Sequence, residues 1–220
     1  PFSGRVDRDR IFEDVKVGTT TATELLFLKY MMDSLRPGGR CSVIVPEGVL
    51  FGSTGAHKEL RRQLIENNRV EAVLSLPGGV FQPYSGVKTS VLFFRKGGST
   101  ERVQFLHADD DGYKLDANHD TPIEADDLPA LAQAYILRES AWDKWTARDA
   151  AAEWGEKWWF ADSATLRAND FNLSAGRYRP MSQAQVEHRD PRELLDELAA
   201  IEAEIVEEIA ALRAELANSQ

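Results

Sequence analysis

Three short apolar runs, set apart by amphipathic stretches and turn residues, constrain this chain most. They are Cys41-Ser-Val-Ile-Val45, Val70-Glu-Ala-Val-Leu-Ser-Leu76 and Val87-Lys-Thr-Ser-Val-Leu-Phe-Phe94. Each is too short for a buried helix and rich in β-branched residues, which predicts strands. Between them lie helical patterns. Thr21-Ala-Thr-Glu24 has the form of a capping box, followed at helical spacing by Leu25, Leu28, Met32 and Leu35. Arg36-Pro-Gly-Gly39 ends that helix. A second helix is predicted over 55–67, with Leu60, Leu64 and Ile65 inward and Arg61, Arg62 and Arg69 near its exposed end. Gly52-Ser-Thr-Gly55 lacks the Gly-Lys-Ser/Thr ending of a phosphate loop and reads as the start of this helix. Alternation of this kind predicts an α/β layer with a mostly parallel sheet.

After Gly97-Gly98 the pattern changes. Val103-Gln-Phe-Leu106 reads as one further strand, and 108–180 as an acidic, tryptophan-bearing region of irregular structure and short helices. From Pro191 onward Leu194, Leu198, Ile201, Ile205, Ile209, Leu212 and Leu216 form a single stripe. Its mean step of about 3.67 residues predicts a nearly straight helix, ~39 Å long over 192–217. Such a stripe needs a partner, either its own domain or another subunit. The expected organisation is therefore 1–107, a sheet domain; 108–185, an acidic extension packed on it; and 186–220, an amphipathic assembly helix.

Charge divides the same way. Residues 1–107 carry a net +4 and 108–220 a net −14, within an overall −10. A polyanion would therefore be met by the first half. The single cysteine, Cys41, rules out an internal disulfide and sits in an apolar run as a small buried residue. No run reaches the roughly 18 apolar residues of a membrane helix. His57, His107, His119 and His188 have no metal-ligand spacing, and Asp109-Asp-Asp111 reads as an acidic turn, so no metal is expected.

Several segments carry a family resemblance. Pro1-Phe2 resembles the end of the Asn-Pro-Pro-Phe motif of amino-methyltransferases. Leu35 to Phe51 is similar to a helix-to-fifth-strand passage, and Val73-Leu-Ser-Leu-Pro-Gly-Gly-Val-Phe-Gln-Pro-Tyr-Ser-Gly-Val-Lys-Thr-Ser-Val-Leu92 to a sixth-strand, loop and seventh-strand signature. Asp111-Gly-Tyr-Lys-Leu-Asp116 and Asn169-Asp-Phe-Asn-Leu173…Arg177-Tyr178 match further downstream. Together they resemble the C-terminal half of the modification subunit of type I restriction-modification systems, a DNA adenine-N6 methyltransferase family.

The resemblance implies the last three strands of a seven-stranded class I, Rossmann-like methyltransferase sheet. It also implies S-adenosylmethionine as methyl donor, held by a Gly-rich motif upstream of Pro1, so no cofactor-binding residue is expected in this chain. The chain alone is then expected to be inactive. The target adenine would be flipped from double-stranded DNA. Phe2, beside Pro1 of the catalytic motif, would stack on it, with Phe81 and then Tyr84 as the opposite wall; Lys88 and Arg5 would contact phosphate. The implied partners are the specificity and restriction subunits and DNA, in the cytoplasm, with self-association of the isolated chain. Two other readings stay open: a non-catalytic module docking the specificity subunit, and part of a small-molecule methyltransferase.

Overall fold

The computed structural model describes residues 4–180. Pro1, Phe2 and the predicted tail helix lie outside the described residues. Chain contacts group residues 1–180 as one unit and 181–220 as another.

Helix α1 spans Thr23–Ser34 and leads into strand β1, Arg40–Pro46. The capping box does not form: α1 is preceded by Ala22, without a side-chain cap. The reason is that the backbone of 21–23 is already engaged, since Val6 and Thr23 donate to the carbonyls of Thr21 and Gly4, and Arg5 bridges to Ala22. After β1 come the short α2, Glu47–Phe51, then α3, Gly55–Asn67, and β2, Asn68–Ser75. Helix α3 begins after Thr54, as the sequence predicts. A long loop then reaches β3, Thr89–Lys96, followed by β4, Arg102–His107.

The sheet departs from expectation in two ways. Its strand order places β3 between β1 and β2, antiparallel to both, so the mostly parallel sheet is not found. Only β2 and β4 pair in parallel. The physical cause is the returning loop after β2, which brings β3 back alongside its predecessor. Second, among the described residues the sheet has five strands rather than three or four, because Trp158–Asp162, strand β7, pairs antiparallel with β4. The sheet thus runs beyond residue 107 into the region read as irregular.

That region also contains a small hairpin, β5 (Asp111–Tyr113) with β6 (Pro122–Asp126). Helices α4 (Leu128–Ile136), α5 (Arg138–Ala147) and α6 (Ser163–Ala168) complete it. Burial of α1 and α3 side chains (Leu25, Leu28, Met32, Leu60, Leu64, Ile65) against Val43, Val45, Val73, Leu92 and Phe105 forms one core. The other sheet face meets α4, where Gln104 donates to the Ala134 carbonyl and Phe93 lies 4.8 Å from the Tyr135 ring. Tryptophans close the β7 end: Trp145 and Trp154 meet edge-on at 5.2 Å, and Trp154 and Trp158 at 5.0 Å. Edge contacts of this kind add ~0.5–1.5 kcal/mol each beyond the area buried.

Candidate base pocket and nucleic-acid interface

Because β1 and β2 both oppose β3, they run the same way, and β4 runs with β2. Their carboxyl ends therefore lie at one end of the sheet, where ligands of open α/β sheets bind. The loop of residues 76–88 sits there. Its base is tied at both sides: Leu76 donates to the Thr89 carbonyl and Glu47 to the Lys88 carbonyl. Inside the loop the Phe81 carbonyl accepts from Tyr84 and Ser85, and Gln82 donates to Gly79, whose φ of +91° suits glycine.

This turn separates the two aromatic candidates. Phe81 is half-buried, whereas Tyr84 is 92% exposed at the tip. No described ring stacks on either. Lys88, at the loop exit, lies 3.6 Å from the Glu47 carboxylate, which also accepts from the Ser75 hydroxyl at 3.2 Å. Glu47 thus joins the ends of β1 and β2 to the start of β3. Sequence reading missed it, since only the strand order brings it beside Ser75 and Lys88. Arg5 is bridged to Ala22, well before this loop in the chain.

His107 ends β4 at the same edge, with its Nε2 3.1 Å from Asp109. Burial lowers its pKa; Asp109 pulls it up, and the charges of Arg179 and Lys88 press it down again, leaving it below the ordinary histidine value. Asp109 is in turn held by Lys157 at 3.0 Å.

A second missed residue is Arg61. Rather than ending in solvent, it is 2% exposed and donates to the carbonyls of Gly52 (2.9 Å), Phe171 (3.1 Å), Val49 (3.2 Å) and Asp170 (3.4 Å). The signal was present in the spacing, since 61, 64 and 65 share one helix face. Arg61 ties the corner between α2 and α3 to the segment 169–173, with Lys58 bridging to Asp170 at 2.8 Å. Tyr178 then returns to the sheet, its ring 5.0 Å from Phe105 and its hydroxyl donating to the Asn172 carbonyl. The 169–178 motif is in this way fastened to the α2–α3 corner and to β4.

Among the described residues no group of histidine, cysteine or acidic side chains is arranged to hold a metal. Cys41 is half-buried rather than buried as expected, because it lies on β1 at an intermediate position of the strand's burial pattern, and burial raises its thiol pKa. No helix of the described residues is long and apolar enough to cross a membrane.

Comparison with known proteins gives the class of this sheet and loop. The profile of the N-6 DNA methylase family matches residues 2–188. The chain belongs to that family. Within it, the chain resembles type I modification subunits. It is 33% identical over 208 residues to the type I restriction enzyme EcoEI methylase subunit of Escherichia coli, covering 93% of this chain and 40% of that protein. It is 32% identical over 174 residues to the StySJI methylase subunit of Salmonella typhimurium, covering 76% of this chain and 32% of the relative. The chain therefore spans well under half the length of these relatives. A chain from a solved type I restriction-modification assembly superposes with a TM-score of 0.59 at 29% identity, over 100% of this chain and 44% of that one. A methyltransferase subunit from Streptococcus thermophilus shares the fold with a TM-score of 0.62 at 21% identity, over 82% of this chain and 36% of its own.

Proposed function

We propose that this chain forms the target-base side of a type I modification methyltransferase that transfers a methyl group from S-adenosylmethionine to N6 of adenine in DNA. The observation that carries the reading is the loop of residues 76–88. It is tied at the carboxyl ends of β1 and β2 and holds Phe81 half-buried while its glycines allow close backbone approach. Adenine N6 is a weak nucleophile because its lone pair is delocalised into the ring, so the enzyme's task is chiefly positioning. A base flipped from the duplex would be held between Phe81 and Phe2. Aromatic stacking of a base is worth roughly 1–3 kcal/mol per contact. Tyr84, at the exposed tip, is better placed to meet the DNA outside the pocket. Lys88, fixed by Glu47, would meet phosphate.

S-adenosylmethionine supplies a sulfonium-bound methyl group for direct displacement. The described residues offer no Gly-rich strand–turn–helix to hold it, and we assign no residue of this chain to the donor. By resemblance, the specificity and restriction subunits are its partners.

The test is to incubate the complete subunit, assembled with its specificity subunit, with donor and cognate duplex, and to analyse the nucleosides by mass spectrometry. N6-methyladenine supports the assignment. Methylated cytosine, or no methylated base, overturns it.

A further inference from the structure

The carboxyl ends of β1, β2 and β4 carry a row of polar groups, separated from Arg179 by the buried Trp159 indole. It passes from Lys88 through Glu47 and Ser75 to His107, since the amide after His107 donates to the Ser75 carbonyl. It continues past Trp159, whose ring lies 6.4 Å from the His107 ring, to Arg179, whose guanidinium is 5.6 Å from the same indole. Both ends of this row are cationic, with the Glu47 carboxylate between them beside Lys88.

Lys88 is ion-paired to Glu47, and among the described residues Arg179 is the freer of the two cations. Arg179 is exposed, with its guanidinium over the Trp159 indole. The Lys88 side chain is 44% exposed, and its carboxylate partner is shared with a hydroxyl. Asp109, the nearest acid to His107, is occupied by Lys157. On a chain of net charge −10, the two solvent-reaching cations give a polyanion two points of attachment at this edge.

We propose that Lys88 and Arg179 form a two-point clamp for backbone phosphates of the DNA strand beside the target base. The clamp rests on the methyltransferase reading, which brings duplex DNA to this end of the sheet. Arginine offers a planar fork matched to phosphate oxygens and lysine a mobile point charge, so the pair holds a backbone without reading its sequence.

The test uses the complete subunit assembled with its specificity subunit, and fluorescence anisotropy of cognate duplex across a salt series. Each phosphate contact contributes about 0.9 to the slope of log affinity against log salt, so Lys88→Gln with Arg179→Gln should lower that slope by about 1.8. The wild-type protein should then lose about 12-fold more affinity than the double variant between about 50 and about 200 mM salt. Arg179→Lys should keep the slope, and melting temperature and donor affinity should not change. An equal slope in wild type and double variant, whatever the affinity, would overturn the clamp. Methylation by the wild type on the same duplex is read separately. If it occurs while the slope is unaltered, only the clamp fails; if it is absent, the methyltransferase reading fails and the clamp with it.

Discussion

Replacing Arg61 tests whether the 169–178 segment is fixed by one buried guanidinium. In Arg61→Ala four carbonyls lose a charged donor, at Val49, Gly52, Asp170 and Phe171. The bond to Val49 is the one wholly buried, and the others are only partly so. A buried acceptor left without a donor costs ~1–3 kcal/mol, while the partly exposed ones recover water. Against this stands relief of the guanidinium's own desolvation, seen in its lowered pKa, which burial causes first. Adding the packing lost with the aliphatic stem, the net destabilisation should be ~3 kcal/mol. For a domain of this size that is a fall of about 6–12 °C in melting temperature. Thermal and urea melts of the full chain measure the total, and hydrogen exchange localises it. The Leu173 amide, which donates to Leu50, should lose protection before β2 and β3 do. Arg61→Lys, keeping the charge but not the fork, should fall between wild type and alanine. An alanine variant within ~0.5 kcal/mol of wild type, the scale of ordinary surface changes, would refute the latch.

Other predictions follow from the same geometry. Glu71, 5% exposed by side chain, takes a hydrogen bond from Tyr135 at 2.9 Å and pairs with Arg95 and Arg138. Burial alone would raise its pKa, but these partners outweigh it and the net shift is downward. A depressed folded pKa gives stability that is complete above the unfolded carboxyl value of about 4.3 and is lost as pH falls below it. Glu71→Gln should therefore melt earlier at neutral pH and flatten the acid limb of the stability profile; parallel profiles would contradict this. Calorimetry on residues 1–220 alone should show no micromolar binding of S-adenosylmethionine, and binding at that level would mean a donor site of a different kind. For the aliphatic stripe of 194–216, outside the described residues, we propose subunit assembly. Light scattering should detect an oligomer that is lost on removing 191–220, and a monomer in both cases would refute it.

What the sequence made legible was local. Helix α3 and β1, β2 and β3 follow from short apolar runs and 3.6-residue spacing, with ends within two residues of those observed. The position of the 76–88 loop follows from the Pro-Gly-Gly at 77–79. Strand β7 was not legible, because Trp158-Trp-Phe-Ala-Asp162 pairs with a strand some fifty residues earlier and lies within an acidic, turn-rich stretch. Arg61 was misplaced because a charged type outweighed a helical position facing inward. Glu47, His107 and Arg179 are each unremarkable in sequence, and only the order β1-β3-β2-β4 gathers them. Of the candidate residues, the structure holds Lys88 beside Glu47 and parts Phe81 from Tyr84.

The central claim is that Phe81 is a wall of the adenine pocket. Single-turnover methylation of cognate duplex by the assembled enzyme, saturated with donor, measures this directly when wild type, Phe81→Ala and Tyr84→Ala are compared. Loss of one base–aromatic stack, roughly 1–3 kcal/mol, predicts about a 5- to 150-fold slower transfer for Phe81→Ala, with donor affinity unchanged and a smaller effect for Tyr84→Ala. Transfer by Phe81→Ala at the wild-type rate, or an equal loss of donor binding, would contradict it.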